Sequence, residues 1–316
     1  MYKPIVAITI GDPAGIGPEI TGKALLTKAV HAACIPFVIG DISLIPGFGS
    51  AQKKFGCPFV NIPFLKRLRY GLSSRDTGRA SYEYIISSLE LIGKKKAYAL
   101  VTAPICKESI HLAKINFPGH TELLAAHTHT KNFAMMMAAG NFRTIMVTRH
   151  IPVSSVGKTI TVNRIVETAS LADGFLKARL GIRSPRIGIC ALNPHGGEAG
   201  LIGKEEINII LPAVKKLSAS GIHAQGPIPA DSAWKEHSAG KFDMLITMYH
   251  DQAMIPLKCL APEKIVNITV GLPFIRTSPG HGTAFNIAGK NKADPRPMIE
   301  AILCAARFSQ VRLARQ

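Results

Sequence analysis

Ile5-Val6-Ala7-Ile8-Thr9-Ile10-Gly11-Asp12-Pro13-Ala14-Gly15-Ile16-Gly17-Pro18 is the stretch whose reading decides the fold. Ile5 to Ile10 is almost entirely β-branched and reads as a strand, a Gly/Pro turn follows at once, and Pro18 suits the first position of a helix. The same unit recurs. Ala97 to Val101 leads to Thr102-Ala103-Pro104, Arg186 to Ala191 to Asn193-Pro194-His195-Gly196-Gly197, and Met244 to Met248 to Tyr249-His250-Asp251. This alternation predicts an α/β fold with a mostly parallel sheet and helices on both faces. In such folds ligands lie beyond the carboxyl ends of the strands, where these turns fall. Thr161 reads as the cap of a helix running towards Leu180. Pro295 and Pro297 open a last helix whose Met298 to Arg307 stretch reads as packing.

Composition narrows the class. The 316 residues are 47% hydrophobic and 18% charged, enough for one large α/β domain or two coupled ones. No apolar run approaches the ~18 residues of a membrane span. Met1-Tyr2-Lys3-Pro4-Ile5 has no signal-peptide character, so the expectation is a cytoplasmic protein with no membrane partner. Six scattered cysteines (Cys34, Cys57, Cys106, Cys190, Cys259, Cys304) form no Cys-x-x-Cys pair and read as buried thiols. The formal charge of +18 admits a nucleic-acid binder or an enzyme of anionic ligands. The basic residues are dispersed, the longest run being Lys94-Lys95-Lys96, and aromatics are few, which sets the balance against nucleic acid.

Four constellations could carry chemistry. The turn Gly11 to Gly17 is not Gly-x-Gly-x-x-Gly, so the usual dinucleotide fingerprint fails. Gly17-x-x-x-x-Gly22-Lys23 imitates a P-loop, but Ala24 stands where the Mg²⁺-binding Ser or Thr would be, and Pro18 would place Gly22 and Lys23 inside a helix. Asp12 and Glu19, acids in so apolar a segment, point to function. His150, His195 and His250 each stand just past a strand end, an arrangement that suits Zn or Co with a position open for substrate; Asp251 adjoins the third. His31, His223 and His237 read as surface positions. His120, Thr121, Lys258, Asn267 and Arg276 form a cationic and polar group fit for phosphate or carboxylate. The stretch 279–290 (Pro279-Gly280-His281-Gly282-Thr283-Ala284-Phe285-Asn286-Ile287-Ala288-Gly289-Lys290) can bring backbone close to a flat ligand.

The motifs at 11–20, 117–122 (Phe-Pro-Gly-His-Thr-Glu), 192–198 (Leu-Asn-Pro-His-Gly-Gly-Glu), 249–252 (Tyr-His-Asp-Gln) and 271–278 together resemble the 4-hydroxythreonine-4-phosphate dehydrogenase family of pyridoxal phosphate biosynthesis. The first and last also echo the wider isocitrate/isopropylmalate dehydrogenase-like class. The resemblance implies two interwoven α/β subdomains around a central cleft within a single unit, 1–316, and a homodimer whose site draws on both chains. It makes His150, His195 and His250 the ligands of one divalent metal, Zn, Co or Mg. It makes His120, Thr121, Lys258, Asn267 and Arg276 the substrate-binding residues, and gives His281, Gly282, Thr283 and Asn286 to the adenosine end of the cofactor. Lys258, for proton transfer or anion binding, and Asp251 are the catalytic candidates.

The implied reaction is oxidation of 4-phosphooxy-L-threonine at C3, then decarboxylation to 3-amino-2-oxopropyl phosphate. The pair Asn286-Ile287 carries no acid to exclude a 2′-phosphate and no Lys-Tyr pair to attract one, so NAD is expected with NADP tolerated. One departure stands out: where the family follows the first metal His with a basic and then an acidic residue, this chain has Ile151-Pro152-Val153-Ser154-Ser155. The rivals are a sister dehydrogenase acting on 4-phospho-D-threonate, D-erythronate or a ring dihydrodiol, an acyltransferase needing neither metal nor dinucleotide, and an RNA-binding module.

Overall fold

The computed structural model describes residues 3–64, 66–117 and 119–313, with side chains through residue 310. Met1, Tyr2 and Pro118, which figure in the N-terminal reading and the 117–122 motif, lie outside the described residues. The strands among these are β1 (Ile5–Thr9), β2 (Ile35–Gly40), β3 (Phe59–Asn61), β4 (Ala99–Thr102), β5 (Ala134–Ala139), β6 (Phe142–Met146), β7 (Ile187–Cys190), β8 (Ala224–Ile228), β9 (Met244–Thr247), β10 (Ile265–Val270) and β11 (Ile275–Pro279).

The chain folds into two compact units. One takes the residues up to Lys131 and those from Leu272 onward; the other is Asn132–Gly271. In the first, the strand order is β3-β2-β1-β4-β11, every neighbouring pair parallel. In the second it is β10-β5-β6-β9-β7-β8. There β6, β9, β7 and β8 run parallel, while β5 is antiparallel to both neighbours. The β5–β6 hairpin turns at Gly140, whose φ of 63° is open to glycine. The expected parallel arrangement is therefore interrupted at β5, where a tight turn replaces a helical crossover before β6.

Burial follows from the crossovers. Helices cover both faces of parallel strands, so central strands must be apolar throughout, and β4, β7 and β9 are buried at every position. The helix Gly17–Leu25 carries proline in its first turn, with Gly22 and Lys23 inside it, so no P-loop forms. Thr161 caps Val162–Leu180, accepting from Arg164 N at 3.2 Å. Arg296–Leu313 buries Met298, Ala301, Ile302 and Ala305 against β4 and β11, the packing role expected of it. No helix among the described residues is long and apolar enough to cross a membrane.

Two expectations are corrected. Only Cys34, Cys57 and Cys190 are buried thiols; Cys259 is exposed and Cys106 and Cys304 are half-buried. His31 is half-buried against Phe55, with ring centroids 3.8 Å apart. His237 is not a surface residue. It is 5% exposed, its Nε2 accepts from Arg143 N at 3.0 Å, and its Nδ1–H donates to Phe242 O at 2.9 Å. The helix face that carries it turns inward beside Trp234, which a polar residue type does not reveal.

Burial holds the His237 pKa below its ordinary value. Because the folded state resists protonation, His237 favours folding above the unfolded value of about 6.5 and loses that contribution as pH falls through it. Melting temperature is expected to drop between pH 7.5 and pH 5.5, with a shallower drop in His237→Gln. Equal slopes in scanning calorimetry would show that this imidazole does not set the acid limb.

Candidate active site

Parallel register in the second unit places three loops on one edge. His150 follows β6, His250 opens the helix His250–Leu260 after β9, and His195 follows β7; these three strands are adjacent. The His150 and His250 rings lie 5.7 Å apart between centroids. Both line a cavity of about 210 Å³ with Arg149, Ile151, Val153, Tyr249 and Asp251. Asp251 accepts from His250 Nδ1–H at 2.7 Å, which fixes the tautomer and leaves the lone pair on Nε2.

His195 stands exposed on the same edge in an irregular turn with φ 53°. Among the described residues no group of three His, Cys, Asp or Glu is arranged to hold a metal ion. The structure thus brings two of the predicted ligands together and leaves the third on the shared edge. The donor chemistry fits a divalent ion: two neighbouring imidazoles, one backed by a carboxylate, is a set that suits Zn or Co.

The anion group divides between the units. In the first, Arg276 on β11 is 2% exposed and its Nη2 donates to Thr102 Oγ1 at 2.7 Å. Burial lowers its pKa to about 10, against the pull of Glu122, so it stays a cation at neutral pH. His120 opens the helix His120–His127, and its Nε2 is sealed from solvent without a hydrogen-bond partner. Burial and then the Arg276 charge push the His120 pKa well down, so the imidazole is neutral. Thr121 is buried beside it in sequence. In the second unit, Asn267 on β10 has an Oδ1 sealed without a partner, and Lys258 is exposed in the last turn of its helix. A sealed polar atom without a partner costs about 1–3 kcal/mol, a cost that a ligand would remove.

The glycine-rich loop after β11 is held from below by the first turn of the chain. Ile16 N donates to Thr283 O at 3.0 Å, and Gly71 N to Ala14 O at 2.9 Å. Glu19 Oε1 accepts from Ala293 N and from Lys23 Nζ, both at 2.7 Å. Asp12 is fully buried, and its Oδ1 accepts from Ala14 N at 2.9 Å. Asp12 and Glu19, read from the sequence as functional, thus each hold a backbone N–H, and Asp12 Oδ2 is sealed without a partner. Burial raises the Asp12 pKa, opposed by hydrogen bonds led by Ala14. His281 Nε2 is sealed without a partner, Gly282 and Asn286 are exposed, and Lys290 Nζ folds back to Asn286 O at 2.9 Å.

Sequence reasoning missed Tyr70, Thr102 and Glu206. The Tyr70 ring lies so close to Gly289 that a Cβ there would come within 2.6 Å. Glu206 holds the turn before His195, with Oε1 accepting from Leu192 N and Asn193 N, both at 2.8 Å. The one available signal was the acidic pair Glu205-Glu206 in a chain poor in acids.

Inorganic phosphate is expected to raise the melting temperature of the protein. Arg276→Ala should weaken that binding roughly 10- to 150-fold, the equivalent of losing a charged hydrogen bond of about 1.5–3 kcal/mol. An unchanged phosphate titration by thermal shift would remove Arg276 from the anion group.

The family described as "Pyridoxal phosphate biosynthetic protein PdxA" matches residues 20–305. The chain is 41% identical to a 4-hydroxythreonine-4-phosphate dehydrogenase of Desulforapulum autotrophicum, covering 96% of this chain and 95% of that one. It is 40% identical to a D-threonate 4-phosphate dehydrogenase of Cupriavidus necator, covering 98% of each. Among solved structures, 4-hydroxythreonine-4-phosphate dehydrogenase from Klebsiella pneumoniae superposes with a TM-score of 0.89 at 36% identity, covering 98% of this chain and 99% of that one. A dehydrogenase of α/β fold, the chain belongs to the PdxA family.

Proposed function

We propose that the protein oxidises the C3 hydroxyl of 4-phosphooxy-L-threonine with NAD, NADP being tolerated, and that the keto acid loses CO₂ to give 3-amino-2-oxopropyl phosphate for pyridoxine 5′-phosphate synthesis. The observation that carries this reading is the Arg276–His120 pair: a buried guanidinium bonded to the neutral hydroxyl of Thr102, beside a neutral imidazole with a sealed, unpartnered nitrogen. Such a pair favours a phosphate, which Arg276 can take in two hydrogen bonds.

His120 and Thr121 complete the phosphate contacts, with Asn267 offering its amide to the substrate's polar groups. His150, His195 and His250 hold one divalent metal, Zn or Co suiting imidazoles better than Mg. When bound, the metal lowers the pKa of an alcohol and stabilises negative charge on its oxygen. Asp251 keeps the His250 Nε2 lone pair free for that ion. Lys258, exposed in the last turn of its helix, moves the proton or holds the carboxylate. His281, Gly282, Thr283 and Asn286 would hold the adenosine end of a nicotinamide cofactor, which would supply the hydride acceptor.

A homodimer is part of the reading. Val153, Leu201 and Ile255, all in the unit that carries the three histidines, are 69%, 86% and 60% exposed, and large apolar side chains left bare mark contact surfaces when they cluster.

A second reading has its own support: relatives named for D-threonate 4-phosphate reach 40% identity, against 41% and 40% for relatives named for 4-hydroxythreonine-4-phosphate. Incubating the protein with each phosphorylated acid and either cofactor, while following absorbance of the reduced nicotinamide, decides between them. Higher kcat/KM on 4-phosphooxy-L-threonine is the expected result; preference for the D-threonate would transfer the assignment.

The cofactor assignment predicts that Asn286→Asp raises the NAD/NADP ratio of kcat/KM at least tenfold, through like-charge repulsion of the 2′-phosphate. Lys290, folded onto the Asn286 carbonyl, supplies the positive charge that lets wild type accept NADP. An unchanged ratio would show that this loop does not read the 2′ position.

A further inference from the structure

The turn that carries His195 has an unusual backbone. Five consecutive residues, His195, Gly196, Gly197, Glu198 and Ala199, have φ between 42° and 77°. Three of them carry a Cβ, which the left-handed region tolerates poorly. Such a run persists only where surrounding groups over-determine it, and it concentrates at functional sites.

Glu206 supplies much of that determination. The residue is 2% exposed. Its Oε1 accepts from Leu192 N and Asn193 N, both at 2.8 Å, and its Oε2 accepts from Asn193 Nδ2 at 2.8 Å. The same amide nitrogen donates to Glu205 Oε2 at 2.8 Å. A Cβ on Gly197 would stand 2.7 Å from Glu206 Oε2, and one on Gly203 would run into the Asn193 side-chain amide. The carboxylate is thus clamped between the two residues before the turn and the middle of the turn itself. Glu206 also opens the π-helical turn Glu206–Ile210, a departure from α geometry that is common at functional sites.

We propose that Glu206 is a positioning residue for His195: by binding the backbone at 192–193 and the Asn193 amide, it sets the left-handed turn that aims the imidazole at the metal, and so tunes metal affinity without touching the ion. The inference rests on the reading of His195 as a metal ligand. A glutamine at 206 keeps an oxygen for the two backbone N–H groups but turns an NH₂ towards the Asn193 NH₂. An alanine removes every acceptor. The two variants therefore grade the effect.

The test is titration of chelator-treated full-length protein with Co²⁺, read by calorimetry and by the visible absorption of the bound ion, in wild type, Glu206→Gln, Glu206→Ala and His195→Ala. Wild type is expected to bind one Co²⁺ per chain. Glu206→Gln should bind it 10- to 100-fold more weakly with an altered absorption band, Glu206→Ala more weakly still, both with unchanged far-UV circular dichroism. If the alanine variant does not fold, the isosteric glutamine variant decides. Loss of Co²⁺ in His195→Ala together with wild-type affinity and spectrum in Glu206→Gln would overturn the positioning role and leave the metal reading standing. Wild-type binding in His195→Ala would overturn both.

Discussion

Parallel pairing of β6, β9 and β7 is the constraint on which the histidine edge depends. Parallel neighbours point their carboxyl ends the same way, and each needs a crossover, usually helical, before the next begins. Every loop leaving these strands must therefore emerge on one edge. Residues far apart in the chain, His150, His195 and His250, are brought to that edge by hydrogen bonding between backbones, with no contact between the loops required. The first unit obeys the same rule: β1, β4 and β11 are adjacent and parallel, so the turn at 11–17, Thr102 and the glycine-rich loop leave a common edge. There the backbone bond from Ile16 to Thr283 ties two of the loops directly.

Arg276 shows how the scaffold carries a charge inside. Burying a guanidinium is expensive unless its donors are satisfied. β11 presents it to Thr102 on the neighbouring strand, and the resulting bond orients the fork. Keeping His120 neutral follows from the same field, because a second positive charge next to Arg276 would be repelled as well as desolvated. One cation and one neutral imidazole make a site that attracts an anion.

The chain has 20 acidic residues against 38 basic ones, and several of the acids work on the backbone. Asp12 shapes the first turn, Glu19 anchors the segment after the glycine-rich loop, and Asp41 accepts from Ser43 N at 2.9 Å and Phe64 N at 2.7 Å. Glu206 does the same under the His195 turn. For Glu206, burial pushes the pKa up, but hydrogen bonds from Asn193 and Leu192 outweigh it and hold the carboxyl below its usual range. Carboxylates used in this way fix loops that glycine alone would leave free, since each accepts several N–H groups at once.

The α/β architecture and the strand-end placement of the three histidines were legible in the sequence, because both follow from local pattern: β-branched runs, Gly/Pro turns and helix signals have fixed periods and lengths. Arg276 stood out as a charged residue beside the apolar stretch Leu272-Pro273-Phe274-Ile275, whereas His120, Thr121, Lys258 and Asn267 stood out only as members of a cationic and polar group. The antiparallel interruption at β5, the burial of His237, the bond between Arg276 and Thr102, the pairing of His150 with His250 apart from His195, and the support by Glu206 and Tyr70 were not. Each depends on which strands lie side by side and which helix face turns inward. That is decided by hydrogen-bonding register and packing between residues far apart in the chain, 174 positions in the case of Arg276 and Thr102, and no local pattern carries that information.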